Sequence, residues 1–305
     1  MSNIKIACIG ECMIELTTGD TPNNLIKNYA GDTYNTAYYL KRLLNNQADV
    51  SYITAVGTDA LSHKLIDALS AADLNTGSIR CLEDGKVGLY LVSNDDDGER
   101  SFTYWREASA AKRMFDGDEG DALLASLSDY QMVYLSGISL AILTPVARMK
   151  LVNALKAAQV SVVFDPNYRP KLWQGAKEAS SAMQDLVSAT QATVMTTLDD
   201  EQLLNDLHTD RDVVAFWQQA GAQEVIVKKG AEGCLIASEE QLVPSLEGIR
   251  PLDTTGAGDS FNGGYLAGLA LGKSKVDSAK LAHNIAAQVI QHRGAIVPEH
   301  QLNLA

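Results

Sequence analysis

Short runs rich in Val, Ile and other apolar residues alternate along the chain with longer segments of helical period, and this alternation restricts the possible folds more than any other feature. The runs are IKIACIG (4–10), VSYITAVG (50–57), MVYLSG (132–137), VSVVFD (160–165), ATVMTT (192–197), EVIVKKG (224–230) and GCLIAS (233–238). Helical patterns occupy 34–46, 61–72, 118–128, 144–158, 177–189, 199–206, 211–220, 259–271 and 276–292. Strands that read as continuous apolar runs are buried on both faces, so the pattern predicts an α/β protein with a mainly parallel sheet covered by helices on both sides. Two regions break the rhythm. Residues 11–33 and 86–106 hold strand-like pieces (CMIELTT, LIKNYAG, VGLYLVSND, ERSFTYW) with no helix between them. They predict a small antiparallel sheet inserted into the main domain, which keeps 1–10, 34–85 and 107–305. The run Asp95-Asp96-Asp97-Gly98 predicts a hairpin turn.

Charge and composition exclude several classes. The 25 Lys and Arg face 38 Asp and Glu, a net charge of −13, which leaves no basic footprint for a nucleic acid and no polybasic patch for a membrane. MSNIKIACIGECMIEL has none of the three parts of a secretory signal, and no apolar run reaches membrane-spanning length; a soluble cytoplasmic protein is expected. Cys8, Cys12, Cys81 and Cys234 form no CxxC pair and read as free thiols, mostly buried. The five histidines form no HxH or HxxxH unit.

The most informative segment is Asp253-Thr254-Thr255-Gly256-Ala257-Gly258-Asp259-Ser260-Phe261, at the head of a helical pattern. Small residues before a helix leave its first amides open to phosphate oxygens, and a carboxylate there can take a proton from an attacking hydroxyl. The same residues also suit a glycine-rich turn with Asp259 as helix cap. A dinucleotide fingerprint fails because Phe261 stands where it needs glycine. A loose Walker A match at 267–274 continues a helix, with Gly272 as its C-terminal glycine.

DTTGAGDSF resembles the DTxGAGDxF signature of the ribokinase-like (PfkB) sugar kinase family, and three further segments resemble that family in order and spacing. Gly31-Asp32-Thr33-Tyr34-Asn35-Thr36-Ala37 is similar to its GGxxxNxA loop, with Asp32 in place of a glycine. Val56-Gly57-Thr58-Asp59 is similar to its VGxD segment, and Lys228-Lys229-Gly230-Ala231-Glu232-Gly233 to its KxGxxG loop. The resemblance implies a three-layer α/β/α ribokinase-like fold closed by a β-sheet lid, with ATP and Mg2+ as cofactors and room for a monovalent cation. Asp259 would then be the base, and the amides of Gly256, Ala257 and Gly258 the anion hole. Asn167, Thr197, Lys228, Lys229, Gly230, Glu232, Gly233 and Asn284 would border the nucleotide. Where the family shows NxxE, the chain has Thr197-Leu198-Asp199-Asp200-Glu201, so Asp200, or Glu201 with a one-residue slip, would be the water-mediated metal contact.

Substrate choice rests on cations over the sugar site. Period two in Phe102-Thr103-Tyr104-Trp105-Arg106 puts Phe102, Tyr104 and Arg106 on one face, and VVFDPNYRPKLW carries Arg169 just past a strand end. Two arginines converging on a sugar indicate a carboxylate, because a neutral ketose would leave their charge unpaired. GDTYNTA, YWR and DPNYRPKLW resemble the branch of the family that acts on the six-carbon keto acid 2-keto-3-deoxygluconate. That resemblance implies Gly31, Asp32 and Asn35 at the hydroxyls, Tyr90 and Tyr104 along the sugar, and Arg106 and Arg169 at the acid end, with the protein's negative charge lying mostly outside the cleft. A kinase for fructose, ribose or a nucleoside, or a non-catalytic sugar-binding relative, are the alternatives. Open lid edges predict a homo-oligomer paired through the lid.

Overall fold

The computed structural model of the chain describes residues 4–19, 21, 24–94 and 100–304; the turn expected at 95–98 lies outside them. In chain order the elements are β1 (Ile4–Ile9), β2 (Met13–Thr18), β3 (Leu25–Ala30), α1 (Asp32–Leu44), β4 (Ala48–Gly57), α2 (Ala60–Ala71), β5 (Ile79–Leu82), β6 (Leu89–Asn94), β7 (Arg100–Trp105), α3 (Gly117–Ala125), β8 (Met132–Ser136) and α4 (Gly137–Ile142). There follow α5 (Pro145–Ala158), β9 (Ser161–Asp165), α6 (Ala176–Thr190), β10 (Thr193–Thr197), α7 (Leu198–Asn205), α8 (Asp210–Gln219), β11 (Glu224–Lys228), β12 (Cys234–Ile236), β13 (Gln241–Val243), α9 (Ala257–Ala270) and α10 (Lys275–Val289).

Side chains along the central strands divide between two cores with the period of two that a pleated strand imposes. Ala7 and Ile9 of β1 join Val133, Leu135, Phe164, Val225 and Trp217 on one face. Ile6 and Cys8 join Tyr52, Tyr134, Met195, Ile226 and Tyr265 on the other. Each fully buried aliphatic side chain contributes roughly 1.5–3 kcal/mol, so both faces must be covered, and helices cover them. Local signals fix where those helices start. Thr144 accepts from the Ala147 amide at 3.2 Å, with Pro145 in the first helical position of α5, and Asp59 accepts from Leu61 and Ser62 ahead of α2.

The large sheet runs β13-β12-β11-β10-β9-β8-β1-β4-β5, parallel except at β12 and β13. From β1 the chain builds outward through β4 to β5, then returns to the other side of β1 for β8, β9, β10 and β11. That reversal opens a crevice beyond the carboxyl ends of the strands, the usual ligand position in open α/β sheets. The two short strands β5 and β13 go beyond the sequence reading. Both lie at sheet edges and carry partly exposed residues, so they lack the apolar run of a central strand.

A second sheet, β3-β2-β6-β7, comes from the two regions without helices. It is mixed rather than antiparallel: the hairpins β2–β3 and β6–β7 are antiparallel, but β2 and β6 run parallel. Between β2 and β6 the chain passes through α1, β4, α2 and β5, a connection long enough for parallel pairing. Met13, Ala30, Tyr90 and Val92 form its small core, while Leu25, Ile26, Phe102 and Trp105 are exposed. No helix among the described residues is long and apolar enough to cross a membrane. All four cysteines are free thiols, and only Cys81 is exposed.

Candidate active site

The loop 253–256 is knitted before α9 begins. Asp253 accepts from the Thr255 amide (3.0 Å) and hydroxyl (2.7 Å) and from the Gly294 amide (2.7 Å). Gly256, at φ 77°, occupies the left-handed region, and a Cβ there would press on Ala295 at 2.9 Å. Of the three amides expected in the anion hole, that of Ala257 is engaged by the Thr254 carbonyl at 3.1 Å, because the left-handed turn folds it back. The amides of Gly256 and Gly258 bond no described residue, and neither does that of Asp259. Within α9, Gly258 and Asp259 are thus the two first-turn donors without a partner among the described residues, and the Gly256 amide is a third just ahead of the helix.

Asp259 is not the helix cap. Gly256 holds that position with no side-chain bond, and Asp259 turns its carboxylate toward α1. Asn35 Nδ2 donates to Asp259 Oδ2 at 2.8 Å, and the Thr36 hydroxyl donates to the Asp259 carbonyl at 3.1 Å. The carboxylate lies deep among protein atoms while the cleft still opens part of the residue to solvent. Desolvation by burial and the nearby Asp32 push its pKa up to about 7, with Asp165 adding to them; the Asn35 hydrogen bond and Lys228 pull the other way. Asp32 accepts from Asn167 Nδ2 at 2.9 Å, which ties Asn167 to the start of α1. Gly31 is required at the head of α1 because a Cβ would collide with the Glu11 carbonyl oxygen.

Below this floor lies a buried polar network absent from the sequence reading. Lys228 Nζ donates to Asp165 Oδ2 at 2.6 Å and to Asn262 Oδ1 at 3.3 Å; Asn262 Nδ2 donates to Asp165 Oδ2 at 2.6 Å and to the Tyr134 hydroxyl at 3.0 Å. Lys228 is thus tied into the end of the sheet and is 9% exposed. Its Nζ nevertheless stands 3.7 Å from where a Gly258 Cβ would be, close to the start of α9.

Among the residues expected to border the nucleotide, Lys229 pairs with Asp210 at 2.6 Å and Glu232 at 3.3 Å. Gly230 has open space around it, whereas Gly233, at φ 117°, is buried against the Val243 carbonyl. The Thr197 hydroxyl caps α7 by accepting from the Asp200 amide at 3.1 Å. Asn284 is exposed on α10, where it accepts from Gln288 at 2.6 Å. Glu201 points into the core and is saturated by Thr196 (2.7 Å), Trp217 (2.7 Å) and Asn205 (2.8 Å). Asp200 faces the cleft 3.6 Å from Arg169; burial and Asp165 raise its pKa, against the pull of Arg169 and Lys228. No group of three or more metal-ligating side chains occurs among the described residues.

Across the cleft, Tyr90 and Tyr104 are cross-strand partners with ring centroids 5.6 Å apart, and Phe102 stacks on Tyr104. The Tyr90 hydroxyl donates to Glu15 Oε2 at 2.5 Å. Arg106 sits 6.0 Å from the Tyr104 ring, and both Arg106 and Arg169 lower the pKa of the Tyr104 hydroxyl against the larger, opposing effect of burial. Both arginines thus act electrostatically on one tyrosine, Arg106 from beside its ring. Neither is unpaired, however: Arg106 donates to Glu11, and Arg169 faces Asp200. Six of the chain's 38 acids also stand at the cleft (Glu11, Glu15, Asp32, Asp165, Asp200, Asp259). The acids serve as partners for the cleft's own cations and amides. The sequence reading passed over Glu11 and Glu15; acids inside an otherwise apolar run are the signal that could have found them.

A helix start with free amides, a carboxylate beside them and a β-sheet lid over the crevice define a phosphoryl-transfer enzyme of the ribokinase-like class. Residues 3–302 match the pfkB family carbohydrate kinases, and the chain belongs to that family. It is 40% identical over 98% of both chains to the 2-dehydro-3-deoxygluconokinase of Escherichia coli (strain K12), and 38% identical over the same shares to that of Dickeya dadantii (strain 3937). Among solved structures, the PfkB protein from Polaromonas sp. JS666 matches with a TM-score of 0.81 at 27% identity, over 95% of this chain and 96% of that one.

Proposed function

We propose that the protein transfers the γ-phosphoryl group of ATP to the C6 hydroxyl of 2-keto-3-deoxygluconate. The placement of Asp259, beside two free amides and hydrogen-bonded to the sugar-loop Asn35, carries the phosphoryl-transfer part. The choice of sugar is supported by the 40% identity to a 2-dehydro-3-deoxygluconokinase and by the two arginines acting on Tyr104. Asp32 and Asn35 bind sugar hydroxyls, Tyr90 and Tyr104 cover the sugar body, and Arg106 and Arg169 take the carboxylate. Asp259 accepts the C6 hydroxyl proton as oxygen attacks phosphorus, while the amides of Gly258 and Asp259 receive the charge gathering on the phosphoryl oxygens. Lys228 adds a fixed positive charge close to the start of α9. Lid closure keeps water from the transferring group.

The chain's acids fit Mg2+ held chiefly by phosphates and water, with Asp200 as the outer carboxylate; the ion would draw negative charge off the phosphates. On this reading, Asp200→Asn raises the Mg2+ concentration for half-maximal rate about tenfold, measured by titrating Mg2+ at saturating ATP. The open edges β3 and β7, with exposed Leu25, Ile26, Phe102 and Trp105, support pairing of two lids in a homo-oligomer.

The substrate is tested by coupled assay of ADP release with 2-keto-3-deoxygluconate, gluconate, fructose and ribose. The keto acid is expected to give the highest kcat/KM. Arg169→Ala should raise KM for the keto acid about tenfold, in line with loss of a charge-assisted contact, and raise KM for a neutral sugar much less. Preference for fructose or ribose, or equal losses on both kinds of sugar, would reject carboxylate recognition.

A further inference from the structure

Four stretches of chain cross between the central domain and the lid: 10–12, residue 31, 83–88 and 106–109. All four meet at Glu11. It lies on the first crossing, and its carbonyl oxygen fills the space a Gly31 Cβ would need on the second. Its Oε1 lies 2.5 Å from where a Gly88 Cβ would be on the third. On the fourth, Arg106 Nη2 donates to its Oε2. Glu11 is 3% exposed, and its Oε1 has no hydrogen-bond partner among the described residues. A buried carboxylate with one oxygen unsatisfied is a costly arrangement for stability alone.

We propose that Glu11 is the positioning residue for Arg106, holding the guanidinium at the rim of the lid in the orientation that receives the substrate's carboxylate. The inference rests on the keto-acid reading above. Arg106 makes no other hydrogen bond to a described residue, so its remaining N–H groups are available for a two-point contact with a second carboxylate. An arginine left free at the end of a strand must surrender its rotamer freedom when it binds; one already held by Glu11 does not. Because the pair joins the first crossing to the last, the acid end of the sugar meets a cation whose position is fixed relative to the floor of the cleft as well as to the lid.

Glu11→Gln keeps size and shape but removes the charge. It is expected to raise KM for 2-keto-3-deoxygluconate about tenfold while KM for ATP stays within twofold, and to add nothing when built on Arg106→Gln. A purely structural role predicts a different pattern, with both KM values or kcat disturbed and the losses additive in the double variant; that pattern would overturn the assignment. If Glu11→Gln does not fold, Gly88→Ala takes its place, since its methyl group pushes the Glu11 carboxylate aside without deleting it. A folded Gly88→Ala with unchanged KM for the keto acid would equally overturn the assignment. Wild-type protein idle on the keto acid but active on a neutral sugar would instead remove the substrate reading on which the inference stands.

Discussion

Asp259→Asn lowers kcat by about 10³-fold, within the range lost when a general base is removed, and leaves ATP affinity within twofold by calorimetry. An amide cannot take the hydroxyl proton, yet it preserves the shape of the helix start and its two free amides. Turnover near that of wild type would remove Asp259 from the role of base. The pH dependence follows from the pKa near 7: the base must be ionised to act, so kcat/KM rises with pH through about 7 and levels off above it. Stability moves in the opposite direction. Because the folded pKa is raised above the ordinary 3.8, the folded protein retains a proton that the unfolded chain has released between pH 4 and pH 7. This group's contribution is therefore full in acid and lost as pH rises through 7. At pH 8 the ionised, buried Asp259 weakens the fold, and Asp259→Asn should be more stable than wild type by about 1–3 kcal/mol. At pH 5 the difference should shrink.

Lys228→Met is expected to cost about 3–5 kcal/mol of stability, as removal of one partner from a buried ion pair does. The methionine fills the space but leaves Asp165, 4% exposed, with a charge answered only by Asn262 and the Asn167 amide. Adding Asp165→Asn should recover much of the loss, since no buried charge then remains uncompensated. Urea denaturation of the two variants checks both statements. A midpoint for Lys228→Met equal to that of wild type would mean that the pair does not carry a buried charge.

The central sheet was legible because parallel strands buried on both faces must be apolar along their whole length. Edge strands β5 and β13 escape that requirement, and the sequence does not announce them. Parallel pairing of β2 with β6 could not be read either, since it depends on where the chain returns after α1, β4, α2 and β5. In the site, a glycine-rich helix start with open amides was legible from Gly256-Ala257-Gly258-Asp259, a local pattern. Its partners were not local. Asn35 reaches Asp259 across 224 residues, Arg106 reaches Glu11 across 95, and Lys228 reaches Asp165 across 63. No spacing rule joins such pairs, so the sequence assigned Arg106 and Lys228 to ligands without showing that each already has an anion within the chain. Thr197 and Glu201 show the same limit on a smaller scale: one is a helix cap and the other a core hydrogen-bond acceptor, while Asp200 between them turns to the cleft.

The raised pKa of Asp259 also bears on what happens when no sugar is bound. A phosphoryl-transfer site facing an open crevice is exposed to water, and a fully ionised carboxylate beside an activated phosphate would help that water attack. With its pKa raised to about 7, Asp259 keeps its proton in a growing share of molecules as pH falls below neutrality, so on the proposed reading the resting site helps water less there. On that reading, the burial that holds the proton on Asp259 slows the attack of water and of the sugar hydroxyl alike, and only the bound sugar, held next to the carboxylate, offsets it.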